Sequence, residues 1–191
     1  LIGKRLMHIN DIHIGNRFDY NYIIDSFRKA QKFNPDFVVY TWDYVNYESE
    51  KQFEQLDEVL KYAVKGKIGT TGGTITIKGK IGTVGILGNH DYGENWAEQN
   101  VADKISEQLT NAGIEVLKND QVNISGMNII GFDDYWALNF APEKVMNNYD
   151  QNKANLLLCH NPDVCDLDVW NGYKGWTLFG HTHEGLCKQW L

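Results

Sequence analysis

Apolar positions follow two different spacings along the chain. Short runs of consecutive apolar residues are typical of buried strands, whereas apolar residues three and four apart are typical of helices. The runs predict strands at 4–10, 37–40, 84–87, 114–117, 122–124, 128–132, 156–159 and 176–179. The helical spacing occurs at 22–33, 53–63 and 97–109, and Gly113 is placed to close the last helix. Strands that alternate with helices predict an α/β sandwich.

One segment departs from this alternation. Residues 65–70 recur almost unchanged at 78–83. A solenoid needs about three units, so a single repeat indicates a local duplication. We expect residues 65–83 to form an exposed loop or hairpin, with a flap that contacts substrate as the alternative.

The bulk composition narrows the classes of protein. A length of 191 residues favours one domain, 1–191, and the 42% apolar and 23% charged residues are ordinary for a globular chain. A net charge of −7 argues against general nucleic-acid binding. No apolar run reaches the about eighteen residues that a transmembrane helix needs. Cys159, Cys165 and Cys187 lack a paired spacing, and we interpret them as reduced thiols.

Polar clusters follow the predicted strands. They are Asp11 with His13, Asp43, Asn89-His90-Asp91, His160, and His181 with His183. Ligands of α/β proteins gather outside the carboxyl ends of strands, so we expect these side chains to lie together. The segment 88–91 alone would also suit a simple turn, but four further clusters of the same chemical kind argue against that. Five of the six histidines fall in these places, and only His8 lies within a strand, where we expect a packed or supporting role.

The clusters contain the donor types of a metal site. Alternation along an extended segment places Asp11 and His13 on one side, and likewise His181 and His183. About seven ligands are too many for one tetrahedral ion and suit two ions that share a carboxylate. The mixture of imidazole, carboxylate and carbonyl groups favours Mn, Fe, Zn or Ni. The candidate ligands are Asp11, His13, Asp43, Asn89, His160, His181 and His183.

These motifs, in this order over residues 11–183, resemble those of the calcineurin-like metallophosphoesterases. The sequence segments at 87–93, 159–163 and 180–183 look most like those of the small bacterial phosphodiesterase branch. Some members of that branch cleave UDP-diacylglucosamine or other envelope phosphodiesters. The resemblance implies a four-layer α/β/β/α sandwich of two mixed sheets flanked by helices. The family carries further C-terminal strands, so we expect the second sheet to be truncated here.

The resemblance also implies a division of roles. One ion is held by Asp11, His13, Asp43 and His183, and the other by Asp43, Asn89, His160 and His181. A hydroxide between the two ions attacks a phosphodiester or pyrophosphate bond. His90, with Asn89, contacts the phosphate, and His90 helps to protonate the leaving group. Asp91 accepts a hydrogen bond from His90 and fixes its tautomer.

Two other functions stay open. A phosphomonoesterase or protein phosphatase of the same family is one, although Asp91 and the scarcity of arginine count against it. A scaffold with impaired catalysis is the other. Trp42 and the short C-terminus motivate it. The Trp42 indole stands where the family has a glycine and could displace Asp43.

The remaining signals concern the substrate and the location. Arg17 either grips a phosphate or is an ordinary surface residue. Asp133 and Asp134 predict an acidic turn, with substrate contact as the alternative. Exposed rings of Tyr44, Tyr47 or Trp136 near the metals would suit an acyl chain or a base. We expect a small-molecule or lipid-linked phosphodiester substrate. The protein is expected in the bacterial cytoplasm or at the membrane or cell envelope, and the missing initiator Met predicts a trimmed N-terminus.

Overall fold

The computed structural model describes residues 3–15, 19–46, 49–66, 70–71, 74–75 and 82–182, with backbone only at 70–71 and 74–75. The strands are β1 Leu6–Asn10, β2 Phe37–Trp42, β3 Thr70–Thr71, β4 Thr74–Ile75, β5 Thr83–Leu87, β6 Glu115–Val116, β7 Asp120–Ile124, β8 Met127–Gly131, β9 Ala154–Cys159 and β10 Trp176–Phe179. The α-helices are α1 Tyr20–Gln31, α2 Glu50–Leu60, α3 Gln99–Asn111 and α4 Glu143–Met146. Two 3₁₀ helices span Asn89–Tyr92 and Pro162–Asp166.

Two four-stranded sheets form the frame of the protein. The first has the order β1-β2-β5-β6 and its described pairings are all parallel. The second has the order β10-β9-β8-β7, in which only β7 runs antiparallel to its neighbour. The predicted α/β sandwich of two sheets is therefore confirmed. The second sheet is mixed as expected, whereas the described strands of the first are parallel because helices connect them.

Three apolar clusters separate four layers. On β2, Tyr40 and Trp42 face α1, α2 and α3, whereas Phe37 and Val39 face the second sheet. This split follows from the alternation of side chains along a strand. The far side of the second sheet buries Ile130 and its neighbours under α4 and the second 3₁₀ helix. The order of layers is thus α/β/β/α.

The helices begin and end at recognisable signals. The Asp19 side chain accepts a hydrogen bond from Asn21 N at 3.0 Å and starts α1 two residues before its first predicted position. Ser49 caps α2 in the same way, with Gln52 N at 3.2 Å. Gly113 follows α3 with φ at 89°, as its sequence position predicts. Within the described residues, no helix has the length and apolar composition needed to cross a membrane.

The two ends of the duplicated segment, residues 65–83, lie next to each other in the fold. The backbone of β3 pairs antiparallel with β4, in agreement with the hairpin alternative. At its base, Gly66 N donates to Thr83 Oγ1 at 2.9 Å. Residues 67–69, 72–73 and 76–81 lie outside the described residues, so the flap alternative stays untested.

Candidate metal centre

Asp43, directly after β2, is the centre of the site. Its side chain is buried, and Oδ2 lies 3.2 Å from His160 Nε2 and 3.6 Å from His13 Nε2. The other oxygen, Oδ1, accepts a hydrogen bond from His90 N at 2.9 Å. One carboxylate is therefore contacted by three distant segments of the chain.

Two groups of potential ligands share this carboxylate. In one group, the donor atoms of Asp11, His13 and Asp43 lie within 4.8 Å of one another. In the other, the donor atoms of Asp43, His160 and His181 do so. Asp43 thus belongs to two groups of side chains that could each hold a metal ion.

Two glycines allow the strand ends to approach this closely. A Cβ atom at Gly88 would lie 2.3 Å from Asp43 Oδ1 and 2.8 Å from His160 Cε1. A Cβ atom at Gly180 would lie 2.2 Å from Thr41 O and 2.9 Å from His160 Nδ1. All four distances are shorter than ordinary Cβ contacts, so glycine is the residue that fits at both positions.

Hydrogen bonds behind the site orient the potential ligands. His160 Nδ1 lies 3.3 Å from Thr41 O, which directs Nε2 toward Asp43. The Thr41 hydroxyl in turn lies 2.7 Å from His8 Nε2, which gives His8 the supporting position expected for it. His181 N donates to Asp11 Oδ1 at 3.0 Å. These contacts fix three of the candidate ligands before any ion is bound.

Two buried atoms fit a cation. Within the described part of the chain, Asn89 Oδ1 has no hydrogen-bond partner, and His160 Nε2 has only its ionic contact with Asp43. Burying a polar atom without a partner costs about 1–3 kcal/mol. Both are atoms that donate a lone pair to a metal, so an ion placed here would satisfy them.

The charges of the site are coupled. Burial raises the pKa of Asp43, but the charge and close contact of His160, together with the charges of His13 and His90, outweigh it, so the pKa of Asp43 lies below its ordinary value. Burial lowers the pKa of His160, but the charge and close contact of Asp43, together with the charges of Asp134 and Asp11, outweigh it and raise the pKa. Burial and the His160 charge lower the pKa of His181. The centre thus holds an anionic carboxylate that attracts positive charge.

Asp11 and His13 come together by a different route from the one expected. Strand β1 ends at Asn10, and Asp11 and His13 have positive φ angles of 48° and 43°. They therefore do not share one side of an extended segment. His13 N donates to Asp43 O at 3.1 Å, which folds the turn onto the end of β2. His181 also has a positive φ, 69°, so three of the candidate ligands lie in turns with the left-handed backbone conformation.

Trp42 does not displace Asp43. Its indole is buried on the helix side of the first sheet, stacked on Phe27 at 5.7 Å between ring centroids. The Tyr40 and Tyr44 rings lie at 4.3 and 4.7 Å. Because successive side chains alternate, Trp42 and Asp43 point to opposite sides. The Trp42 indole, one reason to consider a scaffold with impaired catalysis, therefore packs against the helices and leaves Asp43 in position.

The expected contact between His90 and Asp91 is wrong. Asp91 is fully buried, and its Oδ1 accepts from Tyr44 N at 2.8 Å and Oδ2 from Gly88 N at 3.0 Å. His90 Nδ1 instead lies 3.2 Å from Asn46 O. Consecutive residues of a 3₁₀ helix point in different directions, which separates the two side chains. Burial and the Asp43 charge raise the pKa of Asp91.

The other candidates are the acidic turn, the aromatic rings, the cysteines and a few residues outside the described ranges. Asp133 and Asp134 form a buried acidic turn, in which Asp133 accepts from the Tyr92 hydroxyl and Asp134 Oδ1 from Trp136 N at 2.9 Å. Tyr44 is buried and Trp136 is exposed, so only the second can meet a substrate. Cys159 and Cys165 are free thiols, as expected. The remaining candidates lie outside the described residues: Arg17, Tyr47, His183 and Cys187.

Sequence reasoning missed Trp96 and Thr41. Trp96 stacks on Trp136 beside the site, and Thr41 links His8 to His160. Thr41 carried a weak signal, since it stands two residues before Asp43 at the end of a strand. Trp96 carried none, because no spacing or neighbour distinguishes it from a core tryptophan.

The chain is similar to a family of phosphoesterases and to several bacterial proteins. The model of the calcineurin-like phosphoesterases matches residues 4–185. UDP-2,3-diacylglucosamine pyrophosphatase LpxG of Chlamydia muridarum is 24% identical over 96% of this chain and 64% of its own length. The enzyme of the same name from Chlamydia trachomatis is 25% identical over the same shares. An uncharacterized metallophosphoesterase of Helicobacter pylori is 23% identical over 95% of this chain and 45% of its own. The chain thus spans less than two thirds of the length of these relatives.

Proposed function

Because this chain belongs to the calcineurin-like phosphoesterase family, we propose that it hydrolyses a phosphodiester or pyrophosphate bond with the help of two divalent cations. The observation that supports this most is the position of Asp43 in both groups of potential ligands. A structural role alone would not require two imidazoles and a second carboxylate around one buried carboxylate, because burying such charges is costly.

We assign the ligands in two sets. Asp11, His13 and Asp43 hold the first ion, together with His183. Asp43, Asn89, His160 and His181 hold the second. When bound, such ions lower the pKa of water and neutralise the phosphoryl oxygens, and Mn, Fe, Zn and Ni all suit this donor set.

His90 serves the substrate. The Asn46 carbonyl lies 3.2 Å from its Nδ1, which leaves Nε2 as the nitrogen that we assign to the substrate. Its ring is half-buried and lies 5.4 Å from the His13 ring between centroids. From there it contacts a phosphoryl oxygen and gives a proton to the leaving oxygen. Asn89 and Arg17 are the other residues assigned to the phosphate.

The substrate is a small or lipid-linked molecule with a phosphodiester or pyrophosphate bond. The chlamydial relatives are named for a lipid-bearing pyrophosphate, UDP-2,3-diacylglucosamine. A location in the bacterial cytoplasm or at the membrane surface gives access to such a molecule.

Metal analysis combined with turnover tests the proposal. The protein, loaded with Mn, is expected to hold about two ions per chain and to hydrolyse bis(p-nitrophenyl) phosphate. Asp43→Asn should remove both ions and the activity, because this carboxylate is shared. Asp25→Asn is the matched control, since the Asp25 side chain is 61% exposed on α1 and pairs only with Arg28 among the described residues.

Two results would count against the proposal. One is fewer than one ion per chain without any rate added by Mn, and the other is an Asp43→Asn protein that keeps full activity. The alternative activity, a phosphomonoesterase, is separated by comparing p-nitrophenyl phosphate with the diester. A faster diester reaction supports the phosphodiesterase.

A further inference from the structure

Trp96 and Trp136 form a pair of stacked indoles at the surface. Their ring centroids are 4.8 Å apart and their planes differ by 20°. Trp96 lies beyond the 3₁₀ helix that carries His90, and Trp136 lies in the loop after β8. The two residues are 39% and 37% exposed, so the pair presents aromatic surface to solvent.

The pair is continuous with the proposed metal centre. The Trp136 ring lies 5.2 Å from the His181 ring, edge to face, and the Trp96 ring lies 6.5 Å from the His90 ring. The indoles thus connect a proposed metal ligand with the histidine assigned to the phosphate. A substituent on a phosphate held between these histidines would meet the indole surface.

The surrounding structure holds the backbones of both tryptophans in place. Trp96 has a positive φ of 57°, which is an outlier for a bulky residue, and its backbone N donates to Gly93 O at 3.2 Å. Trp136 N donates to Asp134 Oδ1 at 2.9 Å, and Asp134 is fully buried. Backbone strain persists where the structure overdetermines it, and such places are often functional.

We propose that the Trp96–Trp136 pair is a specificity subsite that stacks a planar ring, of the nucleobase kind, carried on the substrate phosphate. The inference rests on the proposed phosphoesterase function and adds the class of substituent that the site selects. Planar rings stack on indole faces whatever their hydrogen-bonding edges, so a fixed indole pair recognises a base without reading its identity. A pre-ordered ring also loses little conformational entropy on binding.

Two diesters with the same leaving group test the subsite. They are the p-nitrophenyl ester of thymidine 5′-monophosphate and ethyl p-nitrophenyl phosphate. In Trp136→Leu and Trp96→Leu, kcat/KM for the nucleoside ester should fall about 5- to 100-fold, mainly through KM, as loss of one stacking contact implies. The ethyl ester should change less than about twofold. Trp136→Phe should recover most of the loss, because it restores an aromatic face.

Trp176→Leu is the matched control. Trp176 is 73% exposed at the start of β10, whereas the site lies beyond the end of that strand. This variant should treat both esters as the unchanged protein does. A loss for both esters in the Leu variants, or an equal loss of the nucleoside ester in Trp176→Leu, would overturn the subsite.

A binding measurement separates this inference from the proposed function. Thymidine 5′-monophosphate should quench tryptophan fluorescence saturably, and inorganic phosphate should not. The quenching should persist in Trp176→Leu and disappear in Trp136→Leu. If no protein turns over either ester, the proposed function fails while saturable quenching still supports the subsite. Absence of quenching, or quenching unchanged in Trp136→Leu, overturns it.

Discussion

The neighbouring residues His90 and Asp91 have different tasks. Asp91 ties three backbone amides, those of Tyr44, Val45 and Gly88, and so joins the ends of β2 and β5. Among the described residues, the ring nitrogens of His90 have one hydrogen-bond contact, with the Asn46 carbonyl, and the ring is half-buried. The first residue therefore maintains the shape of the site, and the second is available for chemistry.

Asp91→Asn should lower stability by about 1–3 kcal/mol, because the amide NH₂ group would face a backbone donor at a fully buried position. Urea unfolding of the metal-free protein measures this. His90→Asn is the comparison, and it should keep stability within about 1 kcal/mol and slow turnover about 10²- to 10⁴-fold. An Asp91→Asn protein that is as stable as the unchanged chain would refute the assigned task.

Asp134 makes stability depend on pH. Burial raises its pKa from 3.8 to about 6, although the His160 charge opposes the shift. A carboxyl with a raised folded pKa stabilises the protein below its unfolded pKa and loses that contribution as pH rises through the folded value. The loss between pH 4 and 6 should be on the order of 2–3 kcal/mol.

Asp134→Asn should remove this loss while keeping an oxygen for Trp136 N. The variant should gain stability relative to the unchanged protein as pH rises from about 4 to about 7, measured by urea unfolding with a chelator present. Asp25→Asn, at an exposed position, should follow the unchanged protein. Parallel curves for Asp134→Asn and the unchanged chain would show that Asp134 does not titrate in this range.

At the scale of elements, the sequence predicted β2, β5, β8 and β9 because each buries apolar residues along most of its length. Strand β9 buries all but its first residue, and β2 buries every residue. Helix α1 begins earlier than predicted because the Asp19 side chain caps it with a local hydrogen bond to Asn21 N. The spacing of apolar residues carries no information about such a cap. The turn at Asp11 and His13 was misjudged, because positive φ angles there depend on contacts with β2.

Contacts between distant segments also limited what could be predicted about the site. Strand ends predicted which side chains converge, since the carboxyl ends of neighbouring strands meet. Which backbone amide contacts which carboxylate was not predictable, because those contacts join segments far apart in the sequence. The Trp96–Trp136 pair likewise depends on two loops from different layers.

Gly88→Ala tests how closely two elements must approach. The new Cβ would lie 2.3 Å from Asp43 Oδ1 and 2.7 Å from Trp42 O, so β5 or the carboxylate must shift. We expect a loss of about 1–3 kcal/mol in stability and a fall in Mn bound per chain. Gly126→Ala is the control, because its Cβ has open space and only the φ of 88° is strained. That variant should keep its Mn, and an equal fall in both would exclude the steric explanation.

At the scale of the whole molecule, the site belongs to neither sheet alone. Asp11, Asp43 and Asn89 follow β1, β2 and β5 of the first sheet, whereas His160 and His181 follow β9 and β10 of the second. The apolar cluster between the sheets, which includes Val39, Ile86 and Leu158, fixes their relative position. Ion binding at the proposed centre therefore requires the assembled sandwich and should be coupled to folding.

This coupling predicts that Mn stabilises the folded chain. An ion that binds only the folded state adds about 2.7 kcal/mol at a hundred times its Kd, which raises Tm by roughly 5–10 °C in a chain of this size. Thermal unfolding with Mn and with a chelator measures the difference. His90→Asn should show the full rise, and Asp43→Asn should show none, because Asp43 is the residue that both groups of potential ligands share among the described residues. An equal rise in Asp43→Asn would place the stabilising ions elsewhere on this acidic chain, whose net charge is −7.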